Sequence, residues 1–129
     1  MIRSSIDLGT NTCLLLIAEC TPDGRVTRVI EDHVRTVRLG QDVGRTGRLQ
    51  PEAMKRALEC LKDYGIKIKA RGLSVSDTIC AATAQARDAS NGQEFLTQAH
   101  KEAGFEFRIL SGDEEARCSF VGALIAPMD

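Results

Sequence analysis

At 129 residues, 43% hydrophobic and 27% charged, the chain has the size and composition of one globular domain with a real core, not of a disordered segment. A formal charge of −1 and a pI near 6.1 exclude the broad basic footprint of a nucleic-acid binder, so any polyanion must be held by a local cluster. The longest apolar run, "CLLLIA", is far too short to span a bilayer, and "MIRSSIDLG" lacks the apolar core of a signal peptide.

The elements follow in chain order. Residues 4–8 ("SSIDL") and 12–20 ("TCLLLIAEC") read as two extended runs joined by a four-residue turn. "TPDGR" (21–25) is a strong turn signal that sends residues 25–39 back as a third antiparallel strand, with one face wet because it carries many charges. "GQDVGRTGRLQ" (40–50), with its three glycines and two arginines, reads as a mobile loop. Pro51 opens a helix in its first turn, where a missing N–H costs nothing, and Met54, Leu58, Leu61, Gly65 and Ile68 carry helical spacing to about residue 70. Residues 75–83 read as a buried strand and 84–89 as a short helix. Residues 92–104 read as a second helix stopped by Gly104. "FEFRIL" (105–110) alternates strictly and predicts a strand, and 111–126 predicts a last helix. The order β-β-β-α-β-α-α-β-α defines an α/β domain in which three antiparallel strands cross over to parallel ones. Cys13, Cys20, Cys60, Cys80 and Cys118, odd in number and without CxxC spacing, read as small buried hydrophobes in a reducing cytoplasm.

Three turns carry chemistry. In "IDLGTNT" (6–12), Asp7 sits at the carboxyl end of the first strand, where open α/β sheets put ligands. Gly9 permits close backbone approach, and Thr10, Asn11 and Thr12 can turn N–H groups and hydroxyls toward an anion. The same residues also make a good polar hairpin turn. In "AATAQARDASN" (81–91), a strand feeds a helix start at Thr83, and Arg87 one turn in is either a phosphate fork or a solvated residue paired with Asp88. In "SGDEEAR" (111–117), Ser111 and Glu114 have capping-box spacing, which leaves Glu115 without a structural role. An acid at a strand's carboxyl edge, beside a phosphate site, is what a hydrolase would use to activate water.

Together "IDLGTNTCLLLIAE", "VRLGQ", "LQPEAMKRALECL", "AATAQARDASNGQEFL" and "ILSGDEEARCSFVGAL" resemble the N-terminal domain of the exopolyphosphatase/guanosine-pentaphosphate phosphatase family, in order and at family spacing from about residue 5 to about residue 124. That family lies in the actin, sugar-kinase and heat-shock-chaperone ATPase superfamily. The resemblance implies an actin-like (ribonuclease H-like) domain with a mixed five-stranded sheet, spanning residues 1–126 as the first of two domains with the active site between them. It implies that Gly9, Thr10, Asn11 and Thr12 form the first phosphate loop, with Asp7 at the acidic, metal-positioning site. Arg87 matches the phosphate-binding arginine, Glu115 the catalytic glutamate, and Arg38 and Thr83 fall at cleft positions. Mg²⁺ is the expected divalent ion, and inorganic polyphosphate or the guanosine pentaphosphate alarmone the expected substrate. A kinase-like phosphotransferase and a non-catalytic phosphate sensor are the other readings. The family's second phosphate loop should follow "VGAL" but is not in this sequence, so the chain is expected to need its C-terminal domain and to be inactive alone. No nucleic acid or membrane is expected as a partner. The apolar residues Cys118, Phe120, Val121, Leu124 and Ile125 of the last helix are compatible with homodimer formation.

Overall fold

The computed structural model describes residues 1–109, apart from Gly24, Ala84, Gln85 and Arg87. Strands β1 (Ile2–Leu8), β2 (Thr12–Cys20) and β3 (Val26–Thr36) form an antiparallel meander. A four-residue helix α1 (Val43–Thr46) precedes the long helix α2 (Pro51–Ala70). A single 3₁₀ turn (Val75–Asp77) then leads into strand β4 (Ile79–Ala82), helix α3 (Gly92–Ala103) and strand β5 (Phe107–Ile109). The sheet order is β3-β2-β1-β4-β5, with β4 parallel to β1 and β5 parallel to β4. The carboxyl ends of β1, β4 and β5 therefore share one edge.

Most elements follow from local chemistry. Pro51 occupies the first turn of α2, and the helix spans the expected twenty residues. Gly104, at φ 85°, closes α3 in the left-handed conformation, its N–H donating to the His100 carbonyl. The differences have physical causes. Residues 75–77 are a 3₁₀ turn rather than strand, because the Ser74 hydroxyl accepts the Ser76 N–H and starts a turn. β3 stops at Thr36 rather than 39, because the next two N–H groups both donate to the Asn11 carbonyl. Three residues, not four, separate β1 from β2. Instead of an unstructured loop, residues 40–50 contain α1 and hydrogen bonds to two neighbouring segments. The last helix (111–126) lies outside the described residues, as do Ala84, Gln85 and Arg87 of the short helix expected at 84–89, in which Ala86 and Asp88 are helical.

Helices α2 and α3 pack on each other and cover one sheet face. Ile6, Leu8, Cys13, Leu15 and Ile17 meet Leu61, Tyr64, Ile68, Phe95 and Phe105 in a single core. The charges of β3 are not all directed at water. Glu31, His33 and Arg35 lie in register with the core-facing row of β2 and meet the polar rim of α2. Glu31 bonds His33 at 2.8 Å and Arg71 at 2.6 Å; Arg35 bonds Asp63 at 2.9 Å and stacks over the Tyr64 ring. Tyr64 in turn donates its buried hydroxyl to the Cys13 carbonyl. Cys13, Cys60 and Cys80 are buried as expected and Cys20 is partly so; Cys118 lies outside the described residues. Burial pushes the Cys80 thiol up to about 12. No described helix is long and apolar enough to cross a membrane.

Candidate functional site

The site is built where β1 and β4 end side by side. Leu8 pairs with Ala82, and the Thr83 N–H then donates to the Leu8 carbonyl at 3.2 Å, so the turns after the two strands are in contact. A Cβ added at Gly9 would sit 3.2 Å from the Thr12 carbonyl and 4.0 Å from the Thr83 methyl, so only glycine fits without displacing that wall.

In the turn at 9–12, the carbonyls of Thr10, Asn11 and Thr12 are already occupied by donors. Thr12 accepts the Gly9 N–H at 2.8 Å, Thr10 accepts the Gly40 N–H at 2.9 Å, and Asn11 accepts the N–H groups of both Val37 and Arg38 at 2.9 Å. An anion beside this turn therefore meets carbonyl oxygens whose charge is already satisfied. The N–H groups of Thr10 and Asn11 make no backbone hydrogen bond to a described residue, and both residues are exposed. Gly9 departs from the expectation that residues 9–12 all offer N–H groups, because its own closes the hairpin. Across the contact, the Thr83 hydroxyl is buried and has no hydrogen-bond partner. An orphaned buried hydroxyl costs about 1–3 kcal/mol and calls for a ligand or a functional reason.

Asp7 is exposed at the end of β1, in register with Ala81 of β4. Among the described residues no group of three or more His, Cys, Asp or Glu side chains could hold a metal ion. One carboxylate at this edge fits Mg²⁺, which keeps several waters and takes one or two protein carboxylates.

Arg38 stands directly beside the turn with φ 52°, in the left-handed region that costs an L-residue with a Cβ about 1–2 kcal/mol. Its side chain is exposed. Sequence reasoning missed the residue that holds it. Arg56 of α2 donates through Nε to the Val37 carbonyl at 2.8 Å and through Nη2 to the Gln41 Oε1 at 2.6 Å, with a longer contact to the Arg38 carbonyl at 3.5 Å. Nothing in the helical spacing marks Arg56 apart from any other helix arginine.

The segment carrying position 87 is held from both ends. Asn91, at the N-cap of α3, turns its side chain away from capping that helix. Its Oδ1 accepts the Leu49 N–H at 2.8 Å and its Nδ2 donates to the Leu49 carbonyl at 3.0 Å, while the Ser90 N–H donates to the Gly47 carbonyl at 2.9 Å. At Gly92 a Cβ would fall 1.5 Å from the Ala86 carbonyl oxygen, so no other residue fits this backbone. Residues 37–50 thus connect the 9–12 turn to the 83–92 segment. Arg87 and Glu115 lie outside the described residues.

A five-stranded sheet in this order, with polar turns gathered at the carboxyl ends of β1 and β4, defines an actin-like ATPase domain. The chain belongs to the Ppx/GppA phosphatase family, whose model matches residues 16–126. It is similar to the Ppx/GppA family member of Aquifex aeolicus, with a TM-score of 0.83 and 29% identity over 95% of this chain and 39% of that one. An exopolyphosphatase from Cytophaga hutchinsonii superposes with a TM-score of 0.81 and 28% identity, over 91% of this chain and 36% of that one. A bifunctional 3-dehydroquinate synthase/phosphatase of Fusobacterium nucleatum is 36% identical over 126 residues, which are 95% of this chain and 19% of that protein. The chain therefore spans about two fifths of the solved relatives and one fifth of this bifunctional one.

Proposed function

We propose that residues 1–126 are the N-terminal domain of a two-domain phosphoanhydride hydrolase that releases terminal phosphate from inorganic polyphosphate. One observation carries this reading. At the shared edge of β1 and β4, the Thr10 and Asn11 N–H groups make no backbone hydrogen bond to a described residue, and Thr83, whose methyl lies against Gly9, has a buried hydroxyl with no partner among the described residues. Membership of a phosphatase family supports hydrolysis over phosphate transfer to a second substrate.

In this reading the N–H groups of Thr10 and Asn11, the hydroxyls of Thr10, Thr12 and Thr83, and Arg87 bind the terminal phosphoryl group. Gly9 lets it approach the backbone. Asp7 would hold a divalent ion, Mg²⁺ by its preference for oxygen ligands, which when bound neutralises charge on the phosphate oxygens. Glu115 is the general base. It takes a proton from water as the water oxygen bonds to the terminal phosphorus, and the phosphoanhydride bond opposite breaks, leaving the shortened chain with the bridging oxygen's charge. The second domain supplies the facing wall of the cleft.

Phosphate release from long-chain polyphosphate by the full-length protein tests the proposal. Activity is expected with Mg²⁺, with a loss of about 10²–10⁴-fold in kcat for Glu115→Gln. Near-normal release by that variant would remove Glu115 from its role. Guanosine pentaphosphate assayed in parallel decides between the two substrates the family name covers. The 129-residue chain alone is expected to release no phosphate.

A further inference from the structure

We propose that Arg38 contacts a phosphate group beside the one held by the 9–12 turn, and that Arg56 is the positioning residue that presents it there. This rests on the phosphate-site reading above.

Arg38 and Asp42 are the only described residues other than glycine with positive φ. Asn would adopt that conformation more readily than Arg, so the choice of side chain opposes the backbone. Such strain persists where surrounding contacts over-determine it, and it gathers at ligand sites. Here those contacts come from both sides. The Arg38 N–H is bound to the Asn11 carbonyl, part of the phosphate turn itself. Its carbonyl accepts the Gln41 N–H at 3.0 Å, and the preceding carbonyl, of Val37, accepts Arg56 Nε at 2.8 Å. The Arg56 guanidinium also holds Gln41 at 2.6 Å, so one planar group spans the bend.

Charge gives the second, independent observation. The ion pairs among the described residues engage Arg28, His33, Arg35, Arg45, Lys62 and Arg71; Arg38 and Arg56, like Arg3, Arg25, Arg48, Lys55, Lys67, Lys69 and Lys101, are in none of them, and of these Arg38 adjoins the 9–12 turn through its own N–H. Arg56 is committed to neutral oxygens, and the Arg38 guanidinium makes no side-chain hydrogen bond to a described residue. Two cations without a carboxylate, joined through backbone to a donor-rich turn, suit an extended polyanion better than a single phosphate.

The test compares Arg38→Asn, Arg56→Lys and the double variant in the full-length enzyme, with Ser4→Ala as a reference at the far end of the sheet. Arg38→Asn keeps the backbone conformation and removes the charge; Arg56→Lys keeps the charge and removes the fork. Each is expected to raise KM for polyphosphate about tenfold with kcat within about twofold, and the double variant to equal Arg38→Asn alone. Arg38→Asn should not lower the thermal midpoint, and Ser4→Ala should lower it without changing KM. An unchanged KM in Arg56→Lys, or single effects that multiply in the double variant, would overturn the positioning role. An unchanged KM in Arg38→Asn would overturn the contact. If the wild type releases no phosphate, the functional reading fails. Tripolyphosphate titrated into the 129-residue chain then decides the inference separately, with weaker binding expected in both single variants and equal binding overturning it.

Discussion

Thr83 gives the clearest link between one side chain and the site. Its hydroxyl is sealed from solvent and has no partner among the described residues, so as a structural residue it only costs free energy. Thr83→Val keeps the shape and removes that burden. The expected result is a protein at least as stable as the wild type, by up to about 1 kcal/mol in urea titration, that binds phosphate or polyphosphate more weakly. A loss of stability would mean that the hydroxyl serves the fold instead. Arg38 obeys the same logic through its backbone: a strained residue whose replacement by Asn relaxes the chain while weakening the site.

Between elements, the site depends on two side chains that bind backbone. Arg56 fixes the 37–41 bend from α2, and Asn91 fixes Leu49 from the other end of the same connection. Asn91 is buried, so Asn91→Ala would leave a Leu49 N–H and carbonyl unpaired in the interior. A loss of about 2–3 kcal/mol is expected in the denaturant midpoint with an unchanged slope. Phosphate affinity should fall as well, because the 83–92 segment loses its tie to the 47–50 turn. Asn91→Asp should cost a similar amount, since it retains the acceptor for the Leu49 N–H but places a second oxygen against the Leu49 carbonyl.

For the whole molecule, the edge strand β3 is bound to α2 by polar contacts as well as by the core. The Arg71 guanidinium first, and His33 second, hold the Glu31 carboxyl below its ordinary 4.5. A carboxyl depressed in the folded state stabilises the fold fully above its unfolded pKa and loses that contribution as pH falls through its lower folded value. The thermal midpoint of the wild type should therefore exceed that of Glu31→Gln at pH 7, and the gap should close below pH 4.5. A gap that stays constant with pH would show that Glu31 acts by packing alone. β3 also exposes Val34 on the opposite face, beside the half-buried Leu14 of β2.

The sequence by itself determined the order of the five strands, the long helix from Pro51, the glycine stop at 104 and the carboxyl-edge position of the 9–12 turn. These are signals that a segment carries within itself: period, cap and turn chemistry act over a few residues. Its motifs, whose spacing is a family property, propose Asp7, Thr83 and Arg38 as parts of one site. Tertiary structure alone decided that Gly9 keeps its N–H for the hairpin, that Arg56 and Asn91 support the site, and that β3 turns charges toward α2. The physical reason lies in the acceptors. Arg56 and Asn91 reach backbone groups 19 and 42 residues away, and a carbonyl at Val37 or Leu49 is the same carbonyl whatever side chain it bears. No residue type records such a partner, so only the packed chain can bring the two together.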